Sequence, residues 1–182
     1  MSTGADVEVS LLRTDELGAG ARADVRALLA GVFAVDWTGS DWEHCLGGVH
    51  ALVEEDGVLV GHGALVRRQL RHRGRAVRAG YLEGLAVRHD RRGRRIGAAL
   101  MDRLESVIRG GFELGALSTT DAATGFYAAR GWRSWRGRTS AFTPRGIEPT
   151  PEDDDGVRVL PVTADLDLDA ELTCDWRAGD PW

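Results

Sequence analysis

The stretch Arg91-Arg92-Gly93-Arg94-Arg95-Ile96-Gly97-Ala98-Ala99 decides the fold class, because it joins a strand to a helix through a turn rich in glycine and arginine. The preceding segment, Ala76 to Val87, is typical of a strand, and Leu100 and Leu104 follow at helical spacing. Main-chain N–H groups at the start of a helix lack partners in a previous turn, and the helix dipole places about half a positive charge there. The stretch therefore predicts an anion-binding turn.

Glycine and arginine add to this prediction in different ways. Gly93 and Gly97 carry no Cβ, so phosphate oxygens can approach the main chain, and the arginines supply charge and forked donors. The spacing is neither that of a Rossmann loop nor that of a Walker loop. A plain helix start beside solvated arginines is the alternative interpretation of the same pattern.

Apolar periodicity and turn signals predict the elements on either side, in the order β-α-α-β-β-β-α-β-α-β-β. A capping box at Ser40 to Glu43 predicts a short helix, and Asp56-Gly57 and Arg73-Gly74 predict hairpin turns. Trp132 to Phe142 is expected to be a strand, and Thr143 to Trp182 to be rich in loops, with Val157 to Val162 as one last strand. We predict a single α+β domain over 1–182, with a mixed, mostly antiparallel sheet and helices on both faces.

Charge is distributed unevenly along the chain, although the formal net charge is only −5. Thirteen arginines and four acids lie between Gly61 and Arg109, whereas eleven acids and two arginines lie between Ile147 and Trp182. The basic middle favours a phosphorylated ligand and the acidic tail favours a cationic one, although either run alone is equally typical of a solvated surface.

Composition also excludes several functions. All 23 basic residues are arginine, so a mechanism that needs a lysine amine is excluded. Cys45 and Cys174 lack metal-ligand spacing and are expected to be buried thiols, and no metal site is predicted. No apolar run approaches the roughly 20 residues of a membrane span, and the N-terminus has no signal-peptide pattern, so a cytoplasmic protein that does not bind membranes is expected.

The chain resembles the GCN5-related N-acetyltransferase (GNAT) superfamily in these motifs and in the order of its elements. Arg94-Arg95-Ile96-Gly97-Ala98-Ala99 is similar to the pyrophosphate signature of that superfamily, and Leu85-Ala86-Val87 to the end of its central strand. The resemblance implies a GNAT fold with acetyl-CoA as cosubstrate. It places the CoA pyrophosphate at Arg92 to Gly97 and the pantetheine arm beside Leu85 to Val87.

Further motifs resemble one branch of the superfamily, the aminoglycoside 2′-N-acetyltransferases, from one end of the chain to the other. The matching segments are Asp41-Trp42-Glu43-His44, Leu46-Gly47-Gly48, Glu83-Gly84, Leu114 to Ser118, Gly131-Trp132 and Cys174 to Trp182. Cys45, Asp36-Trp37 and Pro181 depart from the pattern of this branch. The Pro181 departure bears on how the tail presents Trp182, and therefore on substrate range.

The resemblance implies a set of substrate-binding residues in which carboxylates face the ammonium groups of an aminoglycoside. These residues are Asp36, Glu83, Gly84, Ser118, Asp153, Asp180 and Trp182, the last through a terminal carboxylate. Without the resemblance, Glu152 to Asp155 is more typical of a solvated acidic loop.

Two residues are candidates for acid–base catalysis, because attack on the thioester needs a neutral amine and the departing thiolate needs stabilisation. Glu83 is the candidate base, directly or through a water, and Tyr127 the candidate acid. A purely binding role for Glu83 and a packing role for Tyr127 are the alternatives. No role is assigned to His44, His50, His62, His72 or His89.

The predicted function is transfer of the acetyl group of acetyl-CoA to the 2′-amino group of aminoglycosides, conferring antibiotic resistance, by an enzyme expected to form a homodimer. An acetyltransferase for another amine is the alternative: a kasugamycin-like antibiotic, a polyamine or a peptide N-terminus. A nucleic-acid-binding module is disfavoured, because no aromatic residues alternate with the arginines and the acidic tail repels phosphate.

Overall fold

The computed structural model describes residues 7–182, except for the side chain of Asp36. The strands are β1 Ser10–Arg13, β2 Val49–Glu55, β3 Val58–His72, β4 Arg75–Val87, β5 Leu114–Ser118, β6 Arg133–Ser134, β7 Thr139–Thr143, β8 Gly146–Pro149, β9 Val157–Pro161 and β10 Leu172–Cys174. The α-helices are α1 Ala19–Phe33, α2 Gly39–His44, α3 Ile96–Gly111 and α4 Thr124–Ala128.

The chain divides into two compact units. Unit 1 comprises Met1–Val66 and Glu83–Ser106, and unit 2 comprises Arg67–Leu82 and Val107–Trp182. Strands β3 and β4 and helix α3 each contribute residues to both units. The single domain expected from the sequence stays a prediction.

In unit 1, β1, β2 and β3 form antiparallel pairs in sequence order. Asp56 and Gly57 join β2 to β3 with φ values of 51° and 75°, the two positive values of a type I′ turn, so the predicted hairpin is confirmed. The register shifts at Val53/Glu54, where β2 carries a bulge.

Helices pack on both faces of the unit 1 strands. On one face, a Cβ placed on Gly61 would lie 2.7 Å from Cγ2 of Ile96, so α3 approaches β3 closely. On the other face, Leu29 of α1 belongs to the same buried apolar cluster as Ala64 and Ala86. The predicted arrangement of helices around the strands is confirmed for this unit.

In unit 2, a second hairpin turn at Arg73 and Gly74 has φ values of 49° and 78°. Strand β5 pairs in parallel with β4, β9 pairs antiparallel with β5, and β6 pairs antiparallel with β9. Strand β10 pairs antiparallel with β3 and parallel with β7, which continues to β8. Two of these pairings are parallel and the others antiparallel, so the mixed, mostly antiparallel α+β class is confirmed.

Three details of the sequence-based expectation were wrong. The capping box of α2 is formed by Thr38 and Asp41, two residues earlier than expected. The strand expected over 132–142 is divided into β6 and β7, because a Cβ on Gly137 would lie 1.9 Å from the Ala170 oxygen and Trp135 donates to that same oxygen. The acidic tail, in which only Val157 to Val162 was expected to be a strand, contributes β8 and β10 in addition to β9, which confirms that strand.

Candidate active site

Strand β4 changes conformation where the sequence places the candidate base. Its parallel pairing with β5 ends at Tyr81, opposite Ala116. Glu83 follows, half-buried, and Gly84 has a φ of +53°, which L side chains rarely adopt. A Cβ on Gly84 would lie 3.0 Å from Sγ of Cys45. Leu85 to Val87 therefore begin at a kink that glycine alone adopts without strain.

The turn between β4 and α3 has the geometry of an anion-binding site. Gly93 has a φ of +77°, with no other atom within 4 Å of the position of a Cβ. Arg95, which precedes α3, has a φ of +65°, an uncommon conformation for a residue with a side chain. Its carbonyl accepts the first helical bond, from Ala99. The N–H groups of the first turn are therefore presented by an open main chain.

The arginines of this turn divide into two groups. Arg88 pairs with Asp90 at 2.6 Å, and Arg91 pairs with Glu55 at 2.7 Å, so these two brace the turn. Arg92, Arg94 and Arg95 are exposed. Three exposed guanidinium groups beside the start of a helix of 16 residues fit a pyrophosphate in charge and in donor type.

The candidate acid, Tyr127, is buried against other aromatic rings. Its ring lies 5.2 Å from that of Phe126 and 5.9 Å from that of Trp132, both at steep angles. Burial raises the pKa of Tyr127 to about 12. The pKa is therefore further from that of a thiol than the sequence led us to expect, and a neutral phenol of this kind acts as a hydrogen-bond donor.

Asp153 stands apart from the other acids of its run. Its side chain is 8% exposed, whereas Glu152 and Asp155 are exposed and Asp154 accepts hydrogen bonds from Thr139. The Oδ2 atom of Asp153 is buried without a hydrogen-bond partner among the described residues. Burial first, and then the charges of Asp180 and the neighbouring acids, raises the pKa of Asp153 to about 6.

The end of the chain is fixed beside this carboxylate. Trp182 is 4% exposed, and its indole N–H donates to Oγ1 of Thr150 at 3.0 Å. Its main-chain N–H donates to Oδ1 of Asp180 at 3.1 Å. The Cys174 thiol donates to the Pro181 carbonyl, so the departure at Pro181 is accommodated in an ordered tail.

Ser118 lies next to Asp153 in unit 2. A Cβ on Gly156 would lie 3.2 Å from Oγ of Ser118 and 3.2 Å from the main-chain oxygen of Asp153. The structure therefore brings together four of the predicted substrate-binding residues: Ser118, Asp153, Asp180 and Trp182. Glu83 and Gly84 lie together in unit 1. The side chain of Asp36, the remaining member of the set, lies outside the described residues.

His50 and His62, to which the sequence analysis assigned no role, are both fully buried. Nδ1 of His50 lies 3.0 Å from Nε2 of His62, and Nδ1 of His62 lies 2.8 Å from the Gly84 carbonyl oxygen. The register places His50 opposite Ala64 and His62 opposite Leu52, so the two are diagonal neighbours on adjacent strands, a relation that only the paired strands reveal.

Residues 7–182 contain neither a metal-binding cluster nor a membrane-spanning helix. No cluster of three or more histidine, cysteine or acidic residues is positioned to hold a metal ion in that range. None of its helices combines the length and apolar character needed to cross a bilayer. Both cysteines are buried thiols, as expected, and they form no disulfide in the described residues.

The fold, the kinked central strand and the arginine-rich turn together define a class of enzyme. The sequence profile of the acetyltransferase (GNAT) family matches residues 26–132. The chain belongs to this family and is an acyltransferase.

Comparison with individual proteins narrows the class. The chain is 47% identical over 176 residues to the aminoglycoside 2′-N-acetyltransferase of Mycolicibacterium fortuitum, covering 94% of this chain and 90% of the relative. A GNAT acetyltransferase from Brucella melitensis, solved in complex with acetyl-CoA, superposes with a TM-score of 0.63 at 16% identity, covering 94% and 97% of the two chains. The ribosomal-protein-S18-alanine N-acetyltransferase of Escherichia coli superposes with a TM-score of 0.60 at 15% identity, covering 87% and 96%. The two solved structures confirm the fold.

Proposed function

We propose that this enzyme transfers the acetyl group of acetyl-CoA to the 2′-amino group of aminoglycosides and thereby confers resistance to them. The observation that carries the proposal is Oδ2 of Asp153, a buried carboxylate oxygen without a partner among the described residues. A buried carboxylate oxygen without a partner is costly, and an ammonium group of the acceptor supplies one. The relative at 47% identity supports the same acceptor.

The residues of unit 1 are proposed to hold acetyl-CoA. Main-chain N–H groups at the start of α3 and the exposed arginines Arg92, Arg94 and Arg95 bind the pyrophosphate, and Leu85 to Val87 bind the pantetheine arm. When bound, acetyl-CoA supplies the acetyl group as a thioester. A main-chain N–H of the Leu85 to Val87 segment stabilises negative charge on the thioester oxygen.

Glu83 and Tyr127 are proposed to manage protons and charge. Glu83 accepts the proton that the acceptor amine must lose, directly or through a water. Tyr127 donates a hydrogen bond to the departing thiolate, a role that its raised pKa favours over complete proton transfer. Both assignments rest on the position of the residues in the chain and on the resemblance.

The acceptor is proposed to bind to Ser118, Asp153, Asp180 and Trp182, with Asp36, Glu83 and Gly84 as further members of the set. Carboxylates bind ammonium groups, while Ser118 and the tryptophan contact hydroxyls and sugar faces. In this proposal the acidic tail completes the acceptor site. A cytoplasmic location and a homodimer are part of the proposal, and gel filtration with light scattering tests the dimer.

The first test uses pairs of aminoglycosides that differ at the 2′ position. CoA release is followed with a 2′-amino compound and with its 2′-hydroxyl counterpart, and mass spectrometry locates the acetyl group. We expect transfer to the 2′-amino member alone. Transfer to both members, or to neither, would contradict the proposed acceptor and direct the search to polyamines, kasugamycin-like antibiotics and peptide N-termini.

A further inference from the structure

A chain of hydrogen bonds runs through the interior of unit 1 and ends at Gly84. The Gly47 N–H donates to Oγ1 of Thr14, which lies 2.9 Å from Nε2 of His50. Nδ1 of His50 lies 3.0 Å from Nε2 of His62, and Nδ1 of His62 lies 2.8 Å from the Gly84 oxygen. The chain of hydrogen bonds therefore connects the end of β1 and the segment before β2 to the residue that follows the candidate base.

The direction of every bond in this chain is fixed by its last acceptor. A carbonyl oxygen only accepts, so Nδ1 of His62 carries the proton and Nε2 of His62 is free to accept. Nδ1 of His50 must then donate, which leaves Nε2 of His50 to accept from the Thr14 hydroxyl at 2.9 Å; the Gly48 carbonyl, at 3.3 Å from the same hydroxyl oxygen, is a second, more distant acceptor. Both rings are satisfied as neutral Nδ1–H tautomers.

Burial supports this neutral state. It lowers the pKa of His50 to about 4, with a further contribution from Arg22, and it lowers the pKa of His62 to about 3, with a smaller contribution from His50. Arg22 is held by the carbonyls of Leu17 and Thr14. At neutral pH the rings carry no charge, so the chain acts as a set of fixed donors.

The chain is unsuited to carrying protons away from the site. It ends on the Gly84 carbonyl, which neither binds nor releases a proton at ordinary pH. Its effect is mechanical: glycine is permissive in φ, so the segment at Gly84 has more accessible conformations than any other residue would allow. The bond from His62 selects one of them, and Cys45 and Leu29 close the space around it.

We propose that His62, oriented by His50, is a positioning residue for acetyl transfer, fixing the peptide that joins Gly84 to Leu85 and, through Gly84, the main chain between Glu83 and the Leu85 to Val87 segment. The inference rests on the proposed role of Glu83 as the base. Positional errors of about 1 Å in a catalytic site reduce turnover by as much as about a hundredfold.

Two substitutions of His62 separate positioning from packing. His62→Asn keeps a nitrogen bonded to Cγ, where it replaces Nδ1 as the donor to Gly84, whereas His62→Leu has no donor. Both lose the Nε2 acceptor of the His50 donor, and thermal unfolding of each variant measures the stability that the substitution costs. His72→Leu is the control, because His72 is also buried on β3 and its Nδ1 lies within bonding distance of the Glu171 carbonyl.

We expect His62→Leu to lower kcat by about tenfold to a hundredfold. His62→Asn is expected to recover most of the lost kcat, and His72→Leu to keep kcat. Equal kcat in the Leu and Asn variants at position 62, whether both low or both high, would overturn the positioning role.

Nitrogen-15 spectra of the histidine rings in the unmodified protein test the chain without any acceptor. At about pH 5.5, one unit below the ordinary histidine pKa, we expect His50 and His62 to remain neutral with the proton on Nδ1. A charged ring, or a proton on Nε2 of His62, would overturn the inference even if a variant fails to fold. Failure of the proposed acceptor would instead appear only in the aminoglycoside panel.

Discussion

Two buried polar sites in this protein, one in each unit, are built on opposite plans. In unit 1, His50 and His62 have a partner at every ring nitrogen, and burial lowers the pKa of both. In unit 2, Asp153 keeps one buried oxygen without a partner among the described residues, and burial raises its pKa to about 6.

The difference distinguishes a buried group that supports the protein's own conformation from a buried group that can bind a ligand. A buried group with every hydrogen bond made inside the protein has nothing left to offer a ligand, so it stabilises one conformation of its surroundings. A buried group with a missing partner is destabilising until something binds it. The histidine pair is therefore expected to act on the main chain beside Glu83, and Asp153 to act on the acceptor.

The largest expected effect on kcat concerns Glu83, the proposed base, which lies beside the main chain that the histidine pair supports. Glu83→Gln removes the proposed base, so kcat for acetyl transfer should fall by about 10² to 10⁴-fold. Acetyl-CoA affinity, measured by calorimetry, should not change, because the turn and Leu85 to Val87 are untouched. Glu54→Gln, the same change at an exposed position of β2, is the control. A kcat within the range of the control would remove Glu83 from the mechanism.

The next largest effect concerns Asp153 and the KM for the aminoglycoside. Asp153→Asn removes a buried charge from the acceptor site, so the KM for the aminoglycoside should rise by about tenfold to a hundredfold, the usual loss for a charged hydrogen bond. The KM for acetyl-CoA should stay constant. Asp155→Asn alters an exposed acid two residues away, and it should leave both constants unchanged. A matching rise in both variants would indicate general electrostatic attraction in place of a specific contact.

Lowering the pH should have opposite effects on protein stability through the histidine pair and through Asp153. The histidine pKa values fall from 6.5 in the unfolded chain to about 4 and about 3, so the stability they contribute is present above pH 6.5 and is lost as pH falls towards 4. The Asp153 pKa rises from 3.8 to about 6, so Asp153 adds stability as pH falls through 6.

Since two rings oppose one carboxyl, the free energy of unfolding should fall by roughly 1.4 kcal/mol per pH unit between about pH 6 and pH 5. Urea unfolding at a series of pH values measures this slope. Asp153→Asn should make the slope steeper and His62→Leu should make it shallower. Identical slopes in the three proteins would show that neither site controls acid stability.

The smallest expected effect concerns the stability that the protein loses by keeping Asp153 charged in a buried position. At pH 7, Asp153 is charged in a buried position, so Asp153→Asn should raise the free energy of unfolding by about 1 kcal/mol. At about pH 4 the native carboxyl is already protonated, and the gain should disappear. Thermal unfolding at the two pH values measures the difference, and a gain of the same size at both would point to a packing effect.

Local features of the chain were easier to predict from the sequence than contacts between distant residues. The turn at Arg91 to Ala99 is a local feature, in which glycine, arginine and a helix start lie within nine residues, so its geometry could be predicted from those residues alone. The hairpin turns at Asp56-Gly57 and Arg73-Gly74 were predictable for the same reason.

Features that depend on distant partners were harder to predict. Trp132 to Phe142 has the composition of one strand, but Gly137 approaches the main chain of Ala170 so closely that the strand is interrupted. Asp153 differs from its neighbouring acids only in burial, which its local sequence does not express. The histidine pair required the register of β2 against β3, including a bulge that no local motif announces.

The two cysteines have a practical consequence for anyone who assays this enzyme. Released CoA is commonly detected with a thiol reagent, and Cys45 and Cys174 are the only thiols of the chain itself. Both have a relative exposure of 0%, so the folded enzyme should contribute almost no background colour. An unfolded variant contributes two thiols per chain, so the blank reaction doubles as a measure of the folded fraction, and each thiol reports on a different unit.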